Sequence, residues 1–583
     1  MNPRRLAASH GGGEAARIVS GMMRRLDRLI GLLLAFPMAA LAVLLLDTLM
    51  QRDPLITLPR RILLETLTLG SLPSALAAGR LPTLNEVMAW TLPQQMVAAL
   101  TVGLIWIAGS GAILLVVRRS MALSARTRLG LIAALLLVVG GVLTAALRPL
   151  PASATLRVDA GQVLGLMPGH ALGFSQGGEG RMTQVGYFEQ TIAPLQTLGA
   201  RVVRIDHLYD YYNVLSFAPD GTAIYRWAEL DRIVDSILAA GAQPLMTLSY
   251  TPSALAGTTV YAAPIDLDAW AELVYQTVVY YNQMRGLDIR YWEVWNEPNN
   301  GAAFWQSSLD EYLNLYRVTA LAVKRADPAA LVGGPGVFYD AMRPAHFTPA
   351  RAWVVALAEF AQQQRLPLDF VSWHLYSTRP ADYAESVALH RAWASAYSPL
   401  PHLLLTEWNW SGASSPAMDD GRTIAYVAAV VGTLADSPLE QAFFFEPIDG
   451  HSDPQGGWGM IRADGTTKPI YESFRLLSLL RGERIEAHSD HPEVGVLGSR
   501  EDGNIVVLVW HYGATHPELH IDLQVAGLNA ACPLTGEVLR VDAAASAEAD
   551  RQWGTIPITQ TSAGACSAAL DLPVDSIYEL RLR

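Results

Sequence analysis

The chain has 583 residues, enough for several domains. Half of them (51%) are hydrophobic and only 16% are charged, a low figure for a wholly solvated protein. The net charge of −12, with 40 Arg and 2 Lys that do not cluster beyond the N-terminal part, argues against nucleic acid as a partner.

The apolar excess lies before residue 150. Residues 1–28 form a basic tail holding Arg4, Arg5, Arg17, Arg24, Arg25 and Arg28. Three uncharged apolar runs follow in the region 29–148: residues 29–46, 96–117 and 129–147, each long enough to cross a bilayer as a helix. Pro37 inside the first run is tolerable in a membrane helix. A cleaved signal peptide is the competing reading of that run. Its Ala40-Leu41-Ala42 lies inside the apolar stretch, however, and two more runs follow, which favours three spans. Arg118, Arg119, Arg126 and Arg128 crowd the short loop between the second and third runs, whereas residues 47–95 balance four Arg with four acids. The tail and the short loop are therefore expected on the cytoplasmic side and everything after Arg148 outside it, with the lipid bilayer as a partner. No role emerges for residues 50–95. Residues 149–167 read as a tether.

From 168 to 482, strand-like and helix-like stretches alternate. Strands are expected at 171–175, 201–206, 243–249, 289–296, 331–334, 369–375, 403–406 and 441–446, and helices at 187–198, 228–240, 267–284 and 471–480. Such alternation predicts an α/β fold, a (β/α)8 TIM barrel. Two of the strands end in a carboxylic acid. Residues 290–300 read Arg-Tyr-Trp-Glu-Val-Trp-Asn-Glu-Pro-Asn-Asn, where Pro298 ends the ladder and leaves Glu297 at the carboxyl end. Residues 403–410 read Leu-Leu-Leu-Thr-Glu-Trp-Asn-Trp, with Glu407 in the corresponding place. Parallel barrels keep their chemistry at this end. A pair of strand-end glutamates suits glycoside hydrolysis, which needs one acid for the leaving oxygen and a second carboxylate at the anomeric carbon or a water.

Residues 483–583 alternate or run apolar at 494–499, 504–512, 518–525, 537–542 and 576–582, which reads as a β-sandwich. Both cysteines, Cys532 and Cys566, fall here. An extracytoplasmic location would permit a bond between them, and the sequence leaves the pairing open. There is no His-Glu-x-x-His, Cys-x-x-Cys, Asp-rich calcium loop or phosphate loop, so no metal or cofactor is expected; Gly333-Gly-Pro-Gly336 reads as a strand-end turn.

Trp-Glu-Val-Trp-Asn-Glu-Pro-Asn at 292–299 with Phe304-Trp305, followed by Thr-Glu-Trp-Asn at 406–409, resembles glycoside hydrolase family 39. That family holds β-xylosidases, α-L-iduronidases and some exopolysaccharide hydrolases. The Asn-Glu-Pro alone marks only the wider clan of retaining (β/α)8 enzymes. The resemblance covers roughly residues 168–583. It implies Glu297 as acid/base on strand four, Glu407 as nucleophile on strand seven, and a β-sandwich packed on the barrel. It also gives roles to other strand ends. Arg204 would hold Glu407 ionised, a role compatible with an ion pair to Glu293. His374 and Tyr376 would meet sugar or nucleophile, and Asn296 the sugar 2-hydroxyl. His207 shares the end of strand two. Tyr250, Trp305, Trp408 and Trp410 are candidate sugar platforms or rim packing. Strand eight departs from the family, reading Phe443-Phe-Phe-Glu-Pro-Ile-Asp449 where members often carry a Trp. Glu446 and Asp449 are placed to meet a sugar hydroxyl, with an ion pair to an Arg as the alternative for Glu446. The combined expectation is a membrane-anchored retaining glycosidase acting on an extracytoplasmic oligo- or polysaccharide, with carboxyls about 5–5.5 Å apart and Glu297 raised in pKa. A catalytically silent carbohydrate-binding scaffold and a transglycosylase are the alternatives.

Overall fold

The structure, a computed structural model, describes residues 152–582 except 168–171, 178–187, 341–346, 451–455, 514, 529–531, 533–534, 543–551 and 562–564. Among the described residues no helix is long and apolar enough to cross a membrane. The three apolar runs, the basic tail and residues 50–95 lie outside them. The chain divides into two compact units, Met1–Leu150 and Pro151–Arg583, and the second holds everything described below.

Eight parallel strands close into a barrel in chain order: Gly173–Gln176, Val202–Ile205, Gln243–Leu248, Tyr291–Val294, Leu331–Asp340, Phe370–Tyr376, His402–Asn409 and Gln441–Phe445. The eighth pairs with the first, Phe443 beside Gly173. Helices alternate with the strands and stop where local chemistry dictates. Leu309–Ala326 opens on a reciprocal cap between Ser308 and Glu311, and Leu267–Val278 opens with Asp266 accepting the N–H groups of Asp268 and Ala269. The helix expected at 267–284 ends in a π-helical turn, Val279–Met284. The last barrel helix is Pro469–Leu477.

Strand alternation sets what the barrel encloses. One interior layer is apolar: Val202, Leu245, Tyr291, Phe370, Leu404 and Phe443. Two residues further along the same strands stand Arg204, Thr247, Glu293 and Ser372, all fully buried, so the next layer is polar. Strand seven carries an irregularity between Leu405 and Glu407. Leu404 faces inward, so that shift is what turns Glu407 inward as well and sends Trp408 outward. The Gly333-Gly-Pro-Gly336 stretch is not a terminating turn. Strand five runs through it to Asp340 with a bulge between Pro335 and Val337. A side chain at Gly333 would meet the Phe370 carbonyl oxygen at 2.1 Å, which is why glycine stands there.

Ten strands form the second layer, one hydrogen-bonded sheet wrapped around an aliphatic core that includes Leu156, Val507, Leu523, Val538 and Leu580. This sheet-rich region fits the expected β-sandwich. The tether expectation is corrected by it. Residues 153–166 are a strand, Ser153–Leu166, antiparallel to Glu483–Ser489 and parallel to Glu518–Ala526. Its Ala154, Leu156, Val158 and Ala160 point into the core at every second residue. The pattern is muted in sequence because half of those inward residues are only alanine. Glu483–Ser489, Gln552–Pro557, Thr559–Gln560 and Cys566–Pro573 are further strands that the sequence reading passed over. Cys532 and Cys566 form a disulfide. Trp510 of the sheet packs against Gly432 of a barrel helix, where any larger residue would sit 2.6 Å from its ring. The Tyr512 hydroxyl donates to the Thr378 carbonyl beyond strand six, at 2.6 Å.

Candidate active site

Inward positions at the carboxyl ends of strands two, four, six and seven converge. Arg204 is the hub. Its Nε donates to Glu293 at 2.7 Å, Nη1 to Glu407 at 2.8 Å and to Ser175 at 3.1 Å, and Nη2 to the Asn296 side-chain oxygen at 2.7 Å. The two roles left open for Arg204 therefore coexist. Its charge is held by burial among two carboxylates that outweigh the desolvation. Asn296 passes the chain of bonds on, donating to the Tyr250 hydroxyl at 3.0 Å.

Glu297 is set by a bent backbone. Trp295 and Glu297 both adopt positive φ (74° and 49°), a conformation that non-glycine residues enter only where the surroundings enforce it. The Glu297 N–H donates to the Gly336 carbonyl of the strand-five bulge at 3.0 Å. Its carboxylate accepts from Asn300 at 2.6 Å and lies 2.7 Å from His374 Nδ1. Glu407 receives the Tyr376 hydroxyl at 2.6 Å, and its Oε2 is 3.2 Å from the same His374 nitrogen. One carboxylate oxygen of each glutamate and a His374 nitrogen all lie within 4.8 Å of one another.

Both glutamates are about 95% buried, so burial is the first force raising each pKa. They then diverge. The negative charge of Glu407 raises Glu297 further, against a smaller opposing pull from Asn300 and Arg204. Glu407 has Arg204 and the Tyr376 hydroxyl pulling it down. The pair is thus biased towards a protonated Glu297 and an ionised Glu407. Burial and the nearby Arg204 hold His374 far below its ordinary range, so it is neutral. Its Nδ1 is the nitrogen that faces both carboxylates.

The acids open on a cavity of about 440 Å³, lined in part by Asp206, His207, Asn296, Tyr376, Phe445 and Trp458. His207 lines it, stacked on Tyr211 with its Nδ1 bonded to Asp210 at 2.8 Å. For the four aromatics left open between sugar platform and packing, the structure shows packing. Trp305 is buried against Trp295 and Tyr312, with its N–H on the Ser308 carbonyl. Trp408 faces away from the barrel axis into Phe444, Phe474 and Tyr383, as alternation next to an inward Glu407 requires. Trp410 packs on Tyr426 and Tyr512, and Tyr250 is buried behind Asn296. Glu446 accepts from Gln176 at 2.5 Å, and Asp449 pairs with Lys468 at 2.7 Å; neither lines the cavity.

Sequence reading missed Asp206, Asn300, Phe338 and Trp458. Asp206 had a signal: it lies two residues after Arg204 on the same strand face. Phe338 follows the strand-five bulge, and Trp458 lies on a loop, where no periodicity points inward.

Residues 170–515 match the model of a family described as glycosyl hydrolases family 39, more than half of the chain. The chain belongs to glycoside hydrolase family 39. Two β-xylosidases, from Caldicellulosiruptor saccharolyticus and Geobacillus stearothermophilus, are each 30% identical to this family 39 chain over 326 residues. The matches take in 50% and 49% of the chain and 64% and 62% of those relatives, somewhat under two thirds of their length. Among solved structures, a monomeric β-xylosidase from Caulobacter crescentus CB15 shares the fold, with a TM-score of 0.61 at 20% identity. That superposition covers 74% of this chain and 99% of that one.

Proposed function

We propose that this family 39 chain is a retaining glycosidase. Glu407 attacks the anomeric carbon while Glu297 gives its proton to the leaving oxygen. Glu297 then takes a proton from water, whose oxygen displaces Glu407 from the sugar. The observation that carries this reading is the approach of the two strand-end carboxylates to within 4.8 Å. That closeness suits direct attack, and it is nearer the ~5–5.5 Å of retaining enzymes than the ~6.5–9.5 Å of inverting ones. The split in their electrostatics supports the same roles. Asn296, held between Arg204 and Tyr250, is positioned to meet the sugar 2-hydroxyl.

The glycone is a neutral sugar, as in the β-xylosidase relatives. Among the described residues lining the cavity there is no Arg or Lys to receive a uronate, whereas Asp206 adds a third carboxylate. The catalytic unit is tethered to a membrane by the runs at 29–46, 96–117 and 129–147 and faces away from the cytoplasm. Arginine asymmetry around those runs supports this orientation, and the Cys532–Cys566 disulfide suits an oxidising compartment. Its substrate is then an oligo- or polysaccharide outside the cytoplasm.

The test uses the full chain in detergent, with aryl β-xyloside, aryl uronides and bacterial exopolysaccharides, beside Glu407→Gln. Release of product by the intact chain, at least ~10³-fold slower in the variant, is expected. Equal rates would remove Glu407 from the nucleophile's role, and silence on every substrate would favour a carbohydrate-binding scaffold. Protease added to intact cells should cut residues 152–583; protection of that part would contradict the orientation.

A further inference from the structure

We propose that His491, Glu493, His511 and His516 form a site for a divalent transition metal of the zinc type at the edge of the sheet domain. Three separate segments bring them together. His491-Pro-Glu493 is the turn between Glu483–Ser489 and Val494–Glu501, His511 ends Asn504–His511, and His516 precedes Pro517 at the start of Glu518–Ala526. Proline after two of the histidines confines their backbone to extended conformations and so limits where the rings point.

His511 is the most telling of the four. It is fully buried, and its Nδ1 lies 3.1 Å from the Leu572 carbonyl oxygen, so Nδ1 carries the proton and donates. Its Nε2 has no hydrogen-bond partner among the described residues and faces Glu493 Oε2 at 3.9 Å. A nitrogen and a carboxylate oxygen thus face each other in the interior at a distance a shared cation could bridge. A histidine that donates one N–H to a backbone carbonyl and offers the other nitrogen is the usual posture of a metal ligand. Glu493 is oriented in the same manner. Its Oε1 accepts both the N–H and the hydroxyl of Thr515, at 3.0 and 2.6 Å, which turns Oε2 towards His511.

His516 Nδ1 is likewise buried with no hydrogen-bond partner among the described residues. Ligand atoms of His491, Glu493 and His516 lie within 4.8 Å of one another. Zinc ligands at about 2.0–2.1 Å can stand no more than ~4.2 Å apart, so these three close on a metal by shifts of under ~1 Å, with His511 placed beside Glu493 as a fourth donor. His491 Nδ1 accepts the Glu493 N–H at 3.2 Å, which fixes the ring. Imidazole with carboxylate suits zinc and its neighbours and not calcium or magnesium. The site's effect is structural. His511 adjoins Tyr512, the residue bonded to the barrel at Thr378, so the metal fastens the turn and loop that meet the barrel.

The measurement is metal content and melting temperature of the full chain in detergent, after chelator stripping and after reloading with Zn²⁺ or Co²⁺. One equivalent per chain is expected to survive dialysis and to raise the melting temperature. Both effects should be lost, with binding at least ~10-fold weaker, in Glu493→Gln and His516→Gln. Stripped unsubstituted protein makes the same comparison without relying on the variants to fold. Glu297, His374 and Glu407 are a second cluster of donor atoms, so Glu297→Gln is included and should keep its metal. No retained metal, no shift on reloading, or loss of metal only in Glu297→Gln would overturn the assignment.

Discussion

The barrel and the sheet domain are stabilised in opposite ways. The sheet domain's core is almost entirely aliphatic, with Leu519, Ile521, Leu523 and Leu580 excluded from water. The barrel, above one apolar layer, buries Arg204, Asp206, Glu293, Glu297 and Glu407 side by side. Hydrocarbon burial is tolerant of which side chain supplies it, whereas buried charge is stable only while each member keeps its partner. A single substitution among the buried charges is therefore expected to cost stability and activity together, and one in the sheet core stability alone.

Arg204→Met breaks this contrast most severely. It leaves Glu293 and Glu407 buried without their cation, and removal of one partner from such a cluster destabilises by about 3–5 kcal/mol. Urea titration of the full chain should show that loss together with loss of activity; a stable, active variant would refute the hub role. Next in size is Leu523→Ala, for which about 2–5 kcal/mol is expected from lost burial and the cavity left behind. Its kcat on any accepted substrate should stay within about twofold of the parent at 25 °C, a factor well under 1 kcal/mol. A large fall in kcat would mean the sheet domain shapes the site.

Smaller effects sharpen the barrel side. The proposed mechanism needs Glu407 ionised and Glu297 protonated, so rates should fall as pH drops through the first pKa and as it rises through the second. Tyr376→Phe removes a hydrogen bond that lowers the Glu407 pKa, so the acidic limb of kcat/KM should move to higher pH. Asn300→Ala removes the bond that lowers Glu297, so the basic limb should move to higher pH while the acidic limb stays. A basic limb moved by Tyr376→Phe and an acidic limb moved by Asn300→Ala would mean the two carboxylates have their roles exchanged.

How legible each region was follows from the same contrast. The barrel strands announced themselves through β-branched and aromatic runs, and their ends carried Glu297, Glu407, Arg204, Asn296, His374 and Tyr376 to one place. Trp408 was misplaced because its neighbour Glu407 invited a sugar platform. The bulge that turns Glu407 inward leaves no mark in the sequence, and it is the bulge that sends Trp408 outward. Trp305 failed for a different reason: a turn folds it under Trp295, a tertiary contact with no local signature. In the sheet domain, Ser153–Leu166 pairs with residues more than 300 positions away, and its alanines carry little of the alternation that marks a strand.

The most direct test of the paired-carboxylate mechanism is trapping. An activated 2-deoxy-2-fluoro glycoside, carrying the glycone that the unmodified enzyme accepts, would be incubated with the full chain and the peptides weighed by mass spectrometry. One fluoroglycosyl group on the peptide containing Glu407, absent from Glu407→Gln, is the expected result. An enzyme that turns over the parent substrate with inversion at the anomeric carbon, or carries the label on another residue, would contradict it.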